Sequence, residues 1–536
     1  MDMTINNEKK AGLAVWLPLW VVCFAQVGTS GDNSVLSMST NEFISQLNAS
    51  MNQVQLANIV YSLLAGALMV FGGMMGIAKG FKKVFMTGAA LCAAGEALAV
   101  VSPNMDILIW GARSLTGLGA ALMIPSVLGI IVSLYEGKDR AVAFGGVGAA
   151  TGVAAVVMPI GAGIIMDASG YQAAFSTMSG WFVIVLVAAW KFIPEIKPAQ
   201  MRVDYVGTVA ASMGLLAFII GCSKVSEWGL IEPLVAPFTV FGMSPALPLA
   251  LAGIAILVIT MVIEKNIETK HGAALIPQSF IKTRQVRNGL YVTGLIFAVF
   301  GAAFFVTLSW IMVVAGKGGA ATGVAMAIMA GPMIVLSLGI PKKFSHLSPR
   351  MVVIGSTAAV CFGALSMAYS LQPDGFTPVL MYLGLVLLGC GQGGYASQSA
   401  MIVASALNPR DAAQSGGIQC STRNVWQAAG VAIIGAVLLF SSTALYKSEI
   451  EASTVAPVVK QYVAETPIHG FMANQAMLDQ LTAVGATESQ AQEALVIYKD
   501  IRIESAQYAF WSLILFVLLH IPGFMGIPTQ GWTQKP

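Results

Sequence analysis

Four charged residues stand where a charge is expensive. Arg113 follows the apolar stretch ILIWGA and opens RSLTGLGAALMIPSVLGIIVSLY, and Arg423 lies in GGIQCSTRNVWQAAG. Asp32 sits in GDNSVL and Glu96 in CAAGEALAV. A charge near the middle of a membrane span costs several kcal/mol, so such residues usually face a bundle interior and have a partner. Their chemistry is that of charge and proton: a carboxyl that holds an arginine in one protonation state and lets it go in the other. A nucleophile and base, or a metal set, are not what these runs contain. His520 comes nearest, at the end of the last apolar run, and has no companion; the four histidines show no metal-ligand spacing. No Walker A motif is present, so this chain hydrolyses no ATP. No cofactor is expected, and an enzyme is not. A receptor or a purely structural membrane protein would not require two arginines and two acids at such depth.

The elements that must position these residues are membrane helices. The chain of 536 residues is 57% hydrophobic and only 10% charged, with a mean hydropathy of +0.78, whereas soluble domains carry about a quarter charged residues. Apolar runs long enough to cross a bilayer recur from residue 13 to residue 527. They read as fourteen spans: 13–40, 54–77, 84–102, 106–135, 142–166, 173–193, 204–223, 244–263, 288–312, 319–340, 351–371, 377–405, 412–443 and 506–527. Backbone polar groups in lipid must be satisfied within their own segment, so each span is a helix. With the N-terminus in the cytoplasm, 20 of the 28 Lys and Arg fall on the cytoplasmic side and 6 outside, Arg113 and Arg423 lying in spans. Four of those six belong to the long loop 444–505, and long loops obey the positive-inside rule poorly. Both termini are therefore expected in the cytoplasm. Loop 444–505, with MLDQLTAV and AQEALVIYKDI, reads as two short helices forming an external hairpin over the outer mouth. The six cysteines lie in apolar segments and read as small buried residues. A net charge of +3 leaves no nucleic-acid footprint; the partners expected are the bilayer, a small-molecule substrate and protons, with the chain a monomer.

Depth arithmetic then pairs the charges. At a rise of about 1.5 Å per residue, Asp32 lies roughly 29 Å up span 1 from the inside, and Arg113 roughly 10 Å below the outer end of span 4. The two levels coincide. Glu96 comes out near the midplane, roughly 20 Å up span 3. An Asp32–Arg113 pair in a polar cavity follows, with a static pair that only fixes helix register as the plainer alternative. Gln26, Ser30, Asn33 and Ser37 recur beside Asp32 at helical spacing, which favours the cavity. Glu96 suits a cationic substrate or a second proton; otherwise it is a protonated acid hydrogen-bonded in the packing. In the second half, Gln419, Arg423 and Gln427 share one helix face at i, i+4 and i+8. GCGQGGYASQSA adds Gln392, Tyr395 and Ser399 among small residues that let helices approach closely. No second-half span offers an acid to Arg423, which leaves an anionic or carbonyl-bearing ligand, or Glu96 across the cavity.

This pattern resembles the major facilitator superfamily, and within it the fourteen-span drug:proton antiporter branch (QacA/EmrB-type). RSLTGLGAALMIP looks like the span-4 motif of that superfamily, whose Arg takes part in proton transfer; the role maps onto Arg113, and the span-1 Asp onto Asp32. DYVGTVAASMGLLAFIIG looks like the start of the span pair inserted between the halves, and AATGVAMAIMAGPM like a Gly and Pro stretch of span 10. The resemblance implies a six-helix bundle over 13–193, two extra spans over 204–263, and a second six-helix bundle over 288–527 that carries loop 444–505. The loop between spans 2 and 3 keeps Gly73, Gly80, Lys82 and Lys83 of its gating motif, but Ile77 stands where an Asp belongs. The span-5 antiporter motif keeps Gly145, Pro159 and Gly163 while Ala154, Met158 and Ala162 replace others, and the Trp-Arg that commonly precedes span 6 is absent. Alternating access between paired halves around a midplane site is implied. The expected activity is proton-coupled efflux of small amphiphilic or drug-like molecules across a cell inner membrane. The alternative is transport of one metabolite, such as a vitamin (riboflavin, for example) or a siderophore. The worn antiport motif is what keeps that alternative open.

Overall fold

A computed structural model describes residues 13–47, 49, 51–198, 204–234, 236–271, 274–317, 319–466 and 472–532. The first helices are α1 (Leu17–Met38), α2 (Met51–Lys79), α3 (Phe81–Val101) and α4 (Ile107–Leu134). The next helical run, Gly137–Phe192, turns a corner at Gly170, where φ is 79°. That left-handed value costs glycine nothing. The corner divides the run into α5 (137–169) and α6 (171–192), and Glu42 accepts the first backbone N–H of α6, from Tyr171, at 2.5 Å. Then come α7 (Tyr205–Ser223), α8 (Ala246–His271), α9 (Arg284–Val314), α10 (Gly319–Lys343), α11 (Pro349–Ala368), α12 (Pro378–Ser405) and α13 (Pro409–Ala452). Two short helices, α14 (Pro457–Glu465) and α15 (Asn474–Ala483), precede α16 (Glu488–Leu519). Among the described residues, twelve helical runs are long and apolar enough to cross a bilayer, the bent run counting as one. The corner at Gly170 divides one of these runs into two helices, and α1, at 22 residues about 33 Å long, stands outside the twelve. Polar caps set several helix starts: Asp204, Ser348, Asn408 and Thr487 each accept a backbone N–H from the residue three further on.

Two hydrophobic cores define the architecture. One gathers α1 to α6, with Phe85, Phe175 and Phe182 fully buried; the other gathers α9 to α13 and α16 around Trp310, Tyr395 and Phe510. α7 and α8 pack on one another beside the two cores. Ala211 and Leu215 of α7 meet Ala67, Val70 and Met74 of α2, and Ser212 donates to the Ala67 carbonyl at 2.9 Å. The outer face of α8 presents Leu251, Ile254, Val258, Ile259 and Val262 to the surroundings, as a lipid-facing helix does. Its other end is keyed to the second bundle. Glu264 accepts the Leu275 N–H at 2.6 Å, and Gln414 of α13 donates to the carbonyls of Ala274 and Leu275 at 3.0 and 2.7 Å.

The bundles meet tightly at the end that carries Lys79, Lys82, Arg140, Lys342 and Lys343. A Cβ at Gly73 of α2 would come within 3.0 Å of the Gly417 backbone of α13, so this crossing tolerates no side chain. Ala400, Met401, Ala404, Ala412 and Cys420 of the second bundle are buried in the core of the first. At the opposite end, α13 and α16 run well past their apolar stretches. Together with α14 and α15 they enclose a core of their own, built on Tyr446, Ile450, Val459, Val463, Met477, Leu481, Leu495 and Tyr498. The expected hairpin of two short helices is thus a four-helix cap. MLDQLTAV forms α15, whereas AQEALVIYKDI belongs to α16, because its apolar face continues without a break into the last span. The cap docks on the turn between α11 and α12. Asp374 of that turn accepts from Lys499 at 2.8 Å and from Asn474 at 2.7 Å, and the fully buried Arg502 donates to the carbonyls of Pro373 and Met472.

Candidate functional site

Asp32, Glu96 and Arg113 come from three helices and meet at one point in the first bundle, each with no exposed surface. Arg113 closes a π-helical turn, Ile107–Arg113, at the start of α4. Such turns widen the helix by one residue and recur at functional sites. The guanidinium grips Asp32 with two nitrogens, Nη2 to Oδ2 at 2.6 Å and Nη1 to Oδ1 at 3.2 Å. The fork geometry makes this a strong charge-assisted pair. Nη1 also reaches Glu96 Oε1 at 3.5 Å. The ring of Tyr61 of α2 covers the guanidinium, 4.6 Å from its central carbon, and is anchored by donating its hydroxyl proton to the Thr29 carbonyl at 3.2 Å. One cation therefore lies among two carboxyls and one aromatic face.

Depth alone set Glu96 a helical turn or more below Arg113, yet the two touch. Long side chains close the gap that backbone rise suggests. Tyr61 went unpredicted; the only signal was a lone tyrosine in the apolar run of α2. Gln26 is buried and donates to Ser30 at 2.8 Å along α1, and the side chain of Asn33 lies outside the described residues.

The polar face of the second bundle is less satisfied. Arg423 of α13 is half-buried, its guanidinium 5.0 Å from the centre of the Phe297 ring of α9. Its Nε is enclosed without a hydrogen-bond partner, and no ion pair to Arg423 occurs among the described residues. Glu96, one partner expected for it, is engaged by Arg113 instead. Gln419, one turn earlier, donates to Ser415 at 3.1 Å while its carbonyl oxygen stays unpartnered; Gln427, one turn later, is half-buried. Gln392 of α12 is 1% exposed with neither amide atom hydrogen-bonded. Tyr395 turns away from this face, into α11, where its hydroxyl meets that of Thr357 at 2.7 Å.

Four of the five gating residues gather at the basic end. Gly73 forms the crossing with Gly417, Gly80 is the single residue between α2 and α3, and Lys82 pairs with Glu195 at 3.5 Å while Lys83 is exposed. Ile77, in place of the motif's Asp, is 5% exposed in the hydrophobic core. Pro159 lies within α5.

Two helix bundles joined at one end, with charges buried inside the spans, are an architecture suited to a polytopic membrane transporter. The chain belongs to the Major Facilitator Superfamily, whose family model matches residues 22–431. It is 28% identical to a probable actinorhodin transporter of Streptomyces coelicolor, over 78% of this chain and 72% of that one. It is 25% identical to the puromycin resistance protein pur8 of Streptomyces alboniger, over 85% and 87%. The crystal structure of the human organic anion transporter MFSD10 shares the fold with a TM-score of 0.52, at 13% identity, over 79% of this chain and 92% of that one.

Proposed function

We propose that the protein is a proton-coupled exporter of small amphiphilic, drug-like molecules that works by alternating access. The observation that carries this reading is the buried cluster of one arginine with two carboxyls. With both acids ionised the cluster has one surplus negative charge, and a single proton neutralises it without leaving the arginine bare. Asp32 is the coupling residue: when it takes the proton, its bidentate grip on Arg113 ends and the guanidinium rests on Glu96. α1 and α4 are then free to shift against one another, which biases the rocking of the bundles about the crossing at Gly73 and Gly417. The relatives named for antibiotic transport and resistance favour export of drug-like molecules over carriage of one metabolite.

In this reading the chain crosses a cell inner membrane fourteen times as a monomer. The basic end and both termini lie in the cytoplasm, and the four-helix cap lies outside. Gln26, Gln392, Gln419, Arg423 and Gln427 line the substrate path.

The test uses purified protein in vesicles and aromatic amphiphiles of anionic, neutral and cationic type. An imposed proton gradient drives at least one of them in the wild type. Asp32→Asn keeps the size of the side chain and removes the titrating charge. A folded Asp32→Asn protein loses gradient-driven movement and keeps substrate-for-substrate exchange, which requires rocking but no net proton transfer. Wild-type proton stoichiometry in Asp32→Asn, followed with a pH dye, would remove Asp32 from the coupling role and pass it to Glu96.

A further inference from the structure

Resting on the exporter reading, the second bundle narrows the class of substrate. Arg423 carries a permanent positive charge inside a membrane helix, and among the described residues no acid neutralises it. Its enclosed Nε has no acceptor. The Phe297 ring faces the guanidinium at 5.0 Å, which orients the plane of the cation but brings no counter-charge. Position matters as much as charge. Gly417 marks the crossing that shuts the basic end, and Arg423 lies six residues beyond it along α13, about 9 Å toward the cap. Arg423 thus stands less than two helical turns past the closure and is only half-buried. On the same face Gln419 offers an unpartnered carbonyl oxygen, and Gln427 adds a further amide one turn along.

We infer that Arg423 is the specificity-determining residue of the substrate site and that the site takes aromatic amphiphiles bearing an acidic or strongly hydrogen-bond-accepting group, a carboxylate or a phenolate beside a ring carbonyl. The anionic group accepts from the guanidinium, and the flat body of the ligand extends over Phe297. The amides of Gln419 and Gln427 discriminate among the remaining polar substituents. Cationic amphiphiles are the disfavoured class, because they place like charge against Arg423.

Binding of anthraquinone-2-carboxylate, its neutral carboxamide and its trimethylammonium analogue to the full chain in detergent tests this directly, at about pH 7 where an aromatic carboxyl is ionised. Wild type binds the carboxylate about ten- to a hundred-fold more tightly than the carboxamide, the range of one charge-assisted hydrogen bond, and binds the cation most weakly. Arg423→Gln removes the preference, weakening the carboxylate far more than the carboxamide; Arg423→Lys restores part of it, since a point charge replaces the planar fork. Equal wild-type affinity for the three probes overturns the assignment without any variant, and so does an Arg423→Gln protein that keeps the anion preference. The exporter reading fails separately: if no probe moves in vesicles under a proton gradient while the carboxylate preference stands, the site assignment survives and proton-driven export does not.

Discussion

The two buried arginines show what a partner does to a charge in a membrane helix. Arg113 is enclosed completely, gripped by Asp32, touched by Glu96 and roofed by Tyr61. Arg423 is half-buried, leans on Phe297 and has no acid beside it among the described residues. Both stand on helices that reach the bundle crossing, α4 through the Pro125 carbonyl beside Gly416 and α13 through Gly417. The first is a closed electrostatic unit in which only a proton changes the balance. The second is an open one, which the proposed substrate would complete. On that reading coupling and recognition are divided between the halves, and the crossing at the basic end is what would link them.

Removing the two cations should therefore have unlike consequences, and this is the largest effect expected. Arg113→Ala leaves two buried carboxyls without their cation and costs about 3–5 kcal/mol, as breaking a buried ion pair does. Arg423→Ala removes a charge that no acid neutralises among the described residues, and its stability cost stays below about 1 kcal/mol. Thermal unfolding in detergent, read by gel filtration of heated samples, measures both. Similar losses for the two variants would erase the distinction between the closed site and the open one.

Glu96 sharpens the closed side. In Glu96→Gln the Asp32 fork persists and the protein folds, but Arg113 has no anion to rest on once Asp32 takes a proton. Substrate-linked proton release, followed with a pH dye, should fall about ten-fold, the equivalent of roughly 1.4 kcal/mol. Unchanged release would make Glu96 a packing residue and leave Asp32 to act alone.

The crossing itself comes next in size. Gly417→Leu inserts a side chain where the two backbones touch, and overpacking of a tight contact costs about 1–3 kcal/mol. The bundles should part at the basic end. In a background with Cys420 as the one cysteine, that buried thiol should react several-fold faster with a small maleimide. An unaltered rate would mean that the crossing yields without opening.

The smallest effect lies in the cap. The Lys499 ammonium and the Asn474 amide hold the Asp374 carboxyl below the usual carboxylate range. A depressed value means that the tether stabilises above the ordinary Asp value of about 3.9 and is lost as pH falls through the lower, folded value. The side chain of Asp374 is 56% exposed, so the contribution is less than about 1 kcal/mol. The melting temperature of Asp374→Asn should lie slightly below wild type at neutral pH, and the gap should close as pH drops below about 3.9. A gap that widens on acidification would reverse the sign and take Asp374 out of the tether.

Much of this molecule could be read without coordinates. The helical kind follows from the length of apolar runs, because a bilayer forbids unsatisfied backbone groups. Asp32 and Arg113 could be matched by counting residues, since helical rise converts sequence distance into depth. Counting failed for Glu96, because depth along an axis ignores the reach and direction of long side chains. It had nothing to say about Tyr61, whose role depends on which way α2 faces. The cap escaped for a related reason: the end of an apolar stretch marks where lipid stops, not where the helix does, and α13 and α16 continue together because their outer turns bury one another.

That the chain is a helical membrane protein with charges at depth follows from its segments one by one, since burial cost and hydrogen-bond closure act on each separately. Which of those charges are neutralised is set by how the helices pack. Arg113 and Arg423 each follow a small residue or a hydroxyl in an apolar helix, and what separates them is that α1 and α3 bring carboxyls to one while α9 brings a phenyl ring to the other. That difference arises between helices far apart in the chain, where no local spacing records it.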